Sequence, residues 1–129
     1  MMRAYYIAGT KSSPTVHFDP AENMLLMEGQ SYPENAFKLF EPIFAWVDEY
    51  LQQLGDSQVV CEFRMPYMNT SSTKCIIMLL EKFDNAHANG KQIQIRWICN
   101  PENESETECA EELKEDLSLP FDIVLKEDS

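Results

Sequence analysis

Four consecutive hydroxyl side chains are the residues of this sequence that most clearly favour chemistry: Thr70, Ser71, Ser72 and Thr73. They lie between a strand-like and a helix-like segment, where Asn69 or Thr70 can cap the helix. The free N–H groups and the positive end of the helix dipole at such a junction favour an anion. The cluster is therefore either a set of capping hydroxyls or a phosphorylation site, where a phosphoryl group would add about −1.5 to −2 charge.

The other residues capable of catalysis or metal binding, two histidines and four cysteines, show no recognised spacing. No cysteines form a C-x-x-C pair, and His17 and His87 are not at metal-ligand spacing. Gly-rich phosphate loops and the G-x-S-x-G and H-E-x-x-H motifs are missing as well. The sequence therefore predicts no enzyme, no metal and no cofactor. A small enzyme that pairs one of these histidines with Cys61 or Cys99 is an alternative.

The composition indicates a globular protein with a strong acidic bias. The net charge is −12, from 22 acidic and 10 basic residues. Such a charge repels both nucleic-acid phosphates and anionic membranes. No apolar run is long enough for a signal peptide or a membrane span, and the cysteines fit apolar faces as small buried residues. We therefore predict one cytoplasmic domain, residues 1–129, that binds neither nucleic acid nor membranes.

Hydrophobic periodicity predicts the strands. Residues 14–19 and 24–28 form a predicted antiparallel hairpin, and residues 121–125 can form a last strand. In residues 58–68 and 92–99, apolar side chains alternate with polar ones, so one face of the sheet is polar. We therefore predict an α/β fold: a two-layer sandwich with a mixed sheet of four to five strands and helices packed on one face.

Three helices are predicted between these strands. The first begins after Asn35 and ends at Gly55, the second spans residues 70–89, and the third spans about residues 104–117. Beside its main apolar stripe, the first helix carries a second row, which is either buried by the second helix or exposed to a partner. That row comprises Leu39, Ile43, Trp46 and Tyr50. The third helix is strongly acidic. Its charged side is either a solvated face or a docking surface for a basic partner.

Several motifs resemble the SiaC family of bacterial regulatory phosphoproteins. They are SYPEN at residues 31–35, Y-x-N-T-S-S at residues 67–72, the pair Arg96-Trp97, and the acidic stretch leading to Pro120-Phe121. The layout is also similar to the STAS domains of anti-sigma-factor antagonists such as SpoIIAA. Those domains are phosphorylated on the first serine of an Asp-Ser-Ser-Gly motif, which Asn-Thr-Ser-Ser replaces here.

The SiaC resemblance implies a partner-switching protein. A cognate Ser/Thr protein kinase would phosphorylate Thr70, and a PP2C-type phosphatase would reverse the reaction. The unphosphorylated form would bind and activate a diguanylate cyclase, and so control cyclic-di-GMP, aggregation and biofilm formation. The expected frame of the phosphosite is Asn69, Ser71 and Ser72, and the expected partner-binding residues are Tyr67, Thr73, Ile43, Trp46 and Tyr50. A small ligand-binding or sensory module, or an antagonist with a different output partner, is the alternative.

Overall fold

A six-stranded mixed sheet organises the computed structural model, which describes residues 2–127. Its strands are β1 (Tyr5–Ile7), β2 (Thr15–Asp19), β3 (Met24–Glu28), β4 (Gln58–Arg64), β5 (Gln92–Cys99) and β6 (Phe121–Leu125). Its helices are α1 (Ala36–Gln53), α2 (Thr70–Ala88) and α3 (Glu104–Glu115). Met1, Asp128 and Ser129, at the ends of the predicted 1–129 domain, lie outside the described residues.

The strands lie side by side in chain order, from β1 at one edge to β6 at the other. The pairs β1–β2 and β2–β3 are antiparallel, whereas β3–β4, β4–β5 and β5–β6 are parallel. Parallel crossovers are right-handed, and all three step in the same direction, so α1, α2 and α3 cover the same face. The predicted two-layer sandwich with helices on one face is confirmed. The sheet has six strands rather than four to five, because β1 was not predicted.

The core lies between that face of the sheet and the three helices. Inward-facing side chains of β4 and β5, such as Phe63 and Ile95, alternate with outward polar ones and are almost completely buried. Trp97, at 1% exposure, lies between two rings of the neighbouring strands. Its ring centroid is 5.0 Å from that of Phe63 and 6.1 Å from that of Phe121. This stack joins β4, β5 and β6.

The opposite face of the sheet is largely polar. On it, Glu62 lies between Arg64 and Arg96, with nitrogen–oxygen distances of 3.5 Å to each guanidinium. Arg64 also lies 3.8 Å from Glu28 of the adjacent strand. These partly exposed pairs each contribute little to stability, but they show that this face is solvated. Within residues 2–127, every helix is too short or too polar to cross a membrane.

The second apolar row of α1 does not form the exposed patch that the sequence allowed. Ile43 and Tyr50 are buried and Trp46 is half-buried. The N-terminal segment covers Trp46: its Nε1–H donates to the carbonyl of Arg3 at 3.0 Å, and its ring lies 6.5 Å from that of Tyr5 in β1. These three residues take part in the packing of the chain itself, and their predicted role in binding a partner stays a prediction.

Candidate phosphorylation site

The hydroxyl cluster begins α2, after a loop that leaves β4. Two backbone hydrogen bonds fasten this loop to Ser31: the Ser31 N–H donates to the Tyr67 carbonyl at 2.8 Å, and the Asn69 N–H donates to the Ser31 carbonyl at 2.9 Å. They form a parallel bridge between Ser31 and Met68, which continues the β3–β4 pairing beyond the ends of both strands. The start of α2 is therefore held in place by the segment that precedes α1.

A buried pair of hydroxyls reinforces this attachment. The Oγ atoms of Ser31 and Ser72 lie 2.8 Å apart, and neither side chain is exposed to solvent. A buried hydroxyl without a hydrogen-bond partner lowers stability. Here each serine hydroxyl is the hydrogen-bond partner of the other. The contact explains why serine suits both positions, and it ties two segments separated by 41 residues.

Removing one hydroxyl of this pair should lower the free energy of unfolding by more than the loss of the hydrogen bond alone, because the other hydroxyl stays buried. Ser31→Ala leaves the Ser72 hydroxyl buried without its partner, so we expect the free energy of unfolding to fall by about 1–3 kcal/mol. Ser31→Ala/Ser72→Ala removes both groups, and its loss should be smaller than the sum of the two single losses by about 1 kcal/mol. Urea unfolding of the four proteins in this cycle measures both quantities. Strictly additive losses would show that the two hydroxyls do not interact.

Of the two residues that the sequence offered as caps, Asn69 and Thr70, Asn69 caps α2. Its side-chain oxygen accepts the Ser72 N–H at 2.8 Å, and its carbonyl accepts the Thr73 N–H at 2.9 Å. Among the described residues, the N–H groups of Thr70 and Ser71 have no protein acceptor. No acidic residue occupies the first turn, so this end of the helix presents a positive dipole and free donors to solvent.

The structure divides the four hydroxyls into two classes. The side chains of Thr70 and Ser71 are exposed, whereas Ser72 is fully buried and Thr73 is half-buried. The Thr73 hydroxyl donates to the carbonyl of Asn69 at 3.0 Å. Only Thr70 and Ser71 are therefore accessible to a modifying enzyme. Helical periodicity could have indicated this, because Ser72 shares the buried stripe of α2 with Cys75, Ile76 and Leu79.

Exposed apolar side chains lie on the loop before Thr70 and further along α2. Tyr67, at 53% exposure, contacts Tyr32 edge to face, with ring centroids 6.0 Å apart. Ile77 and Met78 are 40% and 44% exposed. Scattered exposed apolar residues are ordinary, so these side chains are candidates for contact with a partner and no more. The sequence had suggested Tyr67 for such a contact, but it had not suggested Ile77 or Met78.

Comparison with known proteins identifies the relatives of this chain. Residues 7–126 match a family described as SiaC family regulatory phosphoproteins. The chain belongs to the SiaC family. An uncharacterised protein of Pseudomonas aeruginosa strain UCBPP-PA14 is 38% identical over 122 residues, which is 95% of this chain and 96% of the relative.

Solved SiaC structures share this fold closely. SiaC of Pseudomonas aeruginosa superposes with a TM-score of 0.90 and 35% identity, covering 97% of this chain and all of that one. A chain in the crystal structure of the diguanylate cyclase SiaD in complex with its activator SiaC gives a TM-score of 0.90 and 37% identity. That match covers 95% of this chain and 99% of the other. The resemblance of the sequence to the SiaC family is thus confirmed.

In this SiaC family member the histidines and cysteines do not assemble into a site. His17 is exposed on the polar face of the sheet, whereas Cys61 is buried on the opposite face. His87 is near the end of α2 and borders an open depression with Gln92, at the start of β5, whereas Cys99 ends that strand. Within residues 2–127, no three His, Cys, Asp or Glu side chains are arranged to hold a metal.

The cysteines are also poorly suited to act as nucleophiles. Burial raises the pKa of the Cys61 thiol far above its usual value. Burial, together with the negative charge of Glu106, raises the pKa of Cys99 to about 11. Burial, with the charge of Glu112, also raises the pKa of Cys109. A reactive cysteine needs a lowered pKa, so these thiols are protonated at neutral pH and give no support to the enzyme alternative.

Proposed function

We propose that this chain is a non-enzymatic partner-switching protein of the cytoplasm, built as one domain, whose switch is reversible phosphorylation of Thr70. A Ser/Thr protein kinase adds the phosphoryl group and a PP2C-type phosphatase removes it. The unphosphorylated form binds and activates a diguanylate cyclase, and so raises cyclic-di-GMP and promotes aggregation and biofilm formation. The relative SiaC, described as the activator of SiaD, supports this choice of partner.

The observation that carries the proposal is the accessibility of Thr70 at the first position of α2. Its side chain is exposed, its N–H is free, and the rigid attachment of the loop to Ser31 fixes its position. The kinase would transfer the γ-phosphoryl group of ATP to the Thr70 Oγ1, with the hydroxyl proton passing to a base of the kinase and ADP leaving. Hydrolysis by the phosphatase would restore the hydroxyl and release inorganic phosphate.

The same geometry predicts that phosphorylation leaves the fold intact. A phosphoryl group at the start of a helix faces the positive end of the dipole and the free N–H groups of Thr70 and Ser71. It would also lie one turn from the exposed Lys74 on the same helix. The modification therefore changes the surface offered to a partner and not the structure of this chain. Asn69, Ser71 and Ser72 frame the site, and Tyr67 and Thr73 border it.

Phosphosite mapping tests the proposal. The protein is incubated with ATP and the proposed cognate Ser/Thr protein kinase, and mass spectrometry then locates the modification. We expect one phosphoryl group on Thr70, none on Thr70→Ala, and unchanged modification of Ser71→Ala, which serves as the matched control. A PP2C-type phosphatase should remove the group. Modification of Thr70→Ala to the wild-type level would refute Thr70 as the acceptor.

A further inference from the structure

An apolar groove runs between α2 and α3 and is open to solvent. It encloses about 280 Å³. Its floor is formed by Leu80 and Leu113, which are buried, and by Ile77 and Leu117, which are partly exposed. On α2 the lining extends from Thr73 to Asn85, which corresponds to roughly 18 Å of helix. The groove is therefore long enough for about three turns of another helix.

Carboxylates line both sides of this groove. Glu81 lies on the α2 side, and Glu112 and Asp116 lie on the α3 side. None of the three makes an ion pair within the part of the chain that the structure describes, where the ion pairs lie on the polar face of the sheet and between α1 and α2. A fourth carboxylate, Asp84, is already occupied: its Oδ1 accepts the N–H groups of Ser118 and Leu119 at 2.9 and 3.0 Å.

We infer that this groove binds a basic amphipathic helix of a protein partner. The apolar residues of such a helix would cover the floor, and lysine or arginine on its flanks would meet Glu81 on one side and Glu112 and Asp116 on the other. The charge complementarity selects this occupant. An acidic or neutral helix would leave three uncompensated carboxylates around a buried contact, and nucleic acid or an anionic membrane would be repelled.

The groove adjoins the phosphorylation site but does not include it. Thr73 lines the groove, whereas Thr70 does not. A second cavity, of about 180 Å³, is lined by Tyr67, Met68 and Cys109, and Cys109 also lines the groove. The cavity beside the loop before Thr70 and the groove are therefore neighbours that share Cys109. The carboxylates of the groove attract the partner helix, and phosphorylation of Thr70 controls the neighbouring contact. This inference depends on the proposed function in one respect: it assigns the contact at Thr70 and the contact in the groove to the same partner.

Charge reversal on two faces of α3 tests the groove. Glu112→Lys/Asp116→Lys reverses its α3 side, and Glu111→Lys/Glu115→Lys makes the same change in charge at exposed positions that do not line it. The probe is a synthetic helical peptide with a leucine stripe flanked by lysines, titrated into isotopically labelled protein and followed by NMR. We expect shifts at the groove amides, an affinity loss of about tenfold or more in the groove variant, and a clearly smaller loss in the control.

A second pair of variants tests the apolar floor of the groove. Ile77→Ser changes an exposed lining residue, and Met78→Ser changes its equally exposed neighbour outside the groove. Only the first should weaken the peptide. Equal losses in the two charge variants, or shifts confined to the outer face of α3, would overturn the inference.

Binding of the purified cyclase SiaD to the same variants separates this inference from the proposed function. If the peptide occupies the groove but the cyclase does not bind wild-type protein, the groove stands and the proposed partner is wrong. If the cyclase binds and responds to Thr70 substitutions, while the peptide shows no preference for the groove, the groove inference fails alone.

Discussion

Thr70→Glu is expected to weaken binding of the diguanylate cyclase by at least about tenfold, which corresponds to about 1.4 kcal/mol. Thr70 lies between exposed apolar side chains, Tyr67 before it and Ile77 and Met78 further along α2. A partner that covers these side chains removes water from the new carboxylate, and an unpaired charge is costly to desolvate. Thr70→Ala adds no charge and should bind like the wild type. Calorimetric titration of the three proteins with purified cyclase measures the difference.

Two controls test whether the weaker binding comes from charge at Thr70 and not from unfolding or from added charge elsewhere. Glutamate at the first position of α2 is favoured by the helix dipole, so thermal unfolding of Thr70→Glu should match or exceed that of the wild type. Ser57→Glu places the same charge on an exposed residue just before β4, at the end of the sheet remote from Thr70, and should bind normally. Wild-type affinity in Thr70→Glu, or equal weakening in Ser57→Glu, would contradict a switch at Thr70.

Trp97→Ala is expected to produce the largest loss of stability, about 3–5 kcal/mol. The side chain is almost completely buried and stacks on Phe63 and Phe121, so its removal leaves a cavity shared by β4, β5 and β6. Typical domains have only about 5–15 kcal/mol of total stability, so much of the protein could unfold near physiological temperature. Urea unfolding followed by circular dichroism measures the change.

Trp97→Phe provides the graded comparison. It keeps an aromatic ring in the stack and should lose clearly less stability than the alanine variant, because the residual cavity is smaller. Trp97 also lines the 180 Å³ cavity beneath Tyr67 and Met68, so the alanine variant should loosen the loop before Thr70. If Trp97→Ala lost less than about 1 kcal/mol, the stack would not be a main support of the core.

Local patterns were sufficient to predict most of the fold. The apolar stripe of α1 and the alternation in β4 and β5 indicated both the elements and the polar outer face. The start of α1 was predicted from Asn35, whose side chain accepts the Lys38 N–H at 3.1 Å, and its end from Gly55, which has φ of +63°. Each of these signals acts within a few residues, so a single sequence contains it.

The missed features depend on residues that are distant in the sequence. Strand β1 has three residues, too few for an alternating pattern, and it pairs only with β2. Because that strand was missed, the covering of Trp46 by the N-terminal segment was missed too. The Ser31–Ser72 pair joins two helix entries that look independent along the chain. Thr70 itself was an open choice among four hydroxyls on local physics, and only family resemblance selected it.

Sequential strand order also sets the order in which the protein can form during synthesis. Chains emerge from the ribosome N-terminal end first, so the β1–β2–β3 meander can form early and each later helix–strand unit can add to the last strand. The hydrogen bonds that frame Thr70 join Ser31, Asn69 and Ser72, which all precede the end of α2, whereas the packing beneath its loop also includes Trp97 of β5. The groove also needs α3. A nascent chain would therefore complete the surroundings of Thr70 once β5 has been made, and it would complete the acidic groove only after α3.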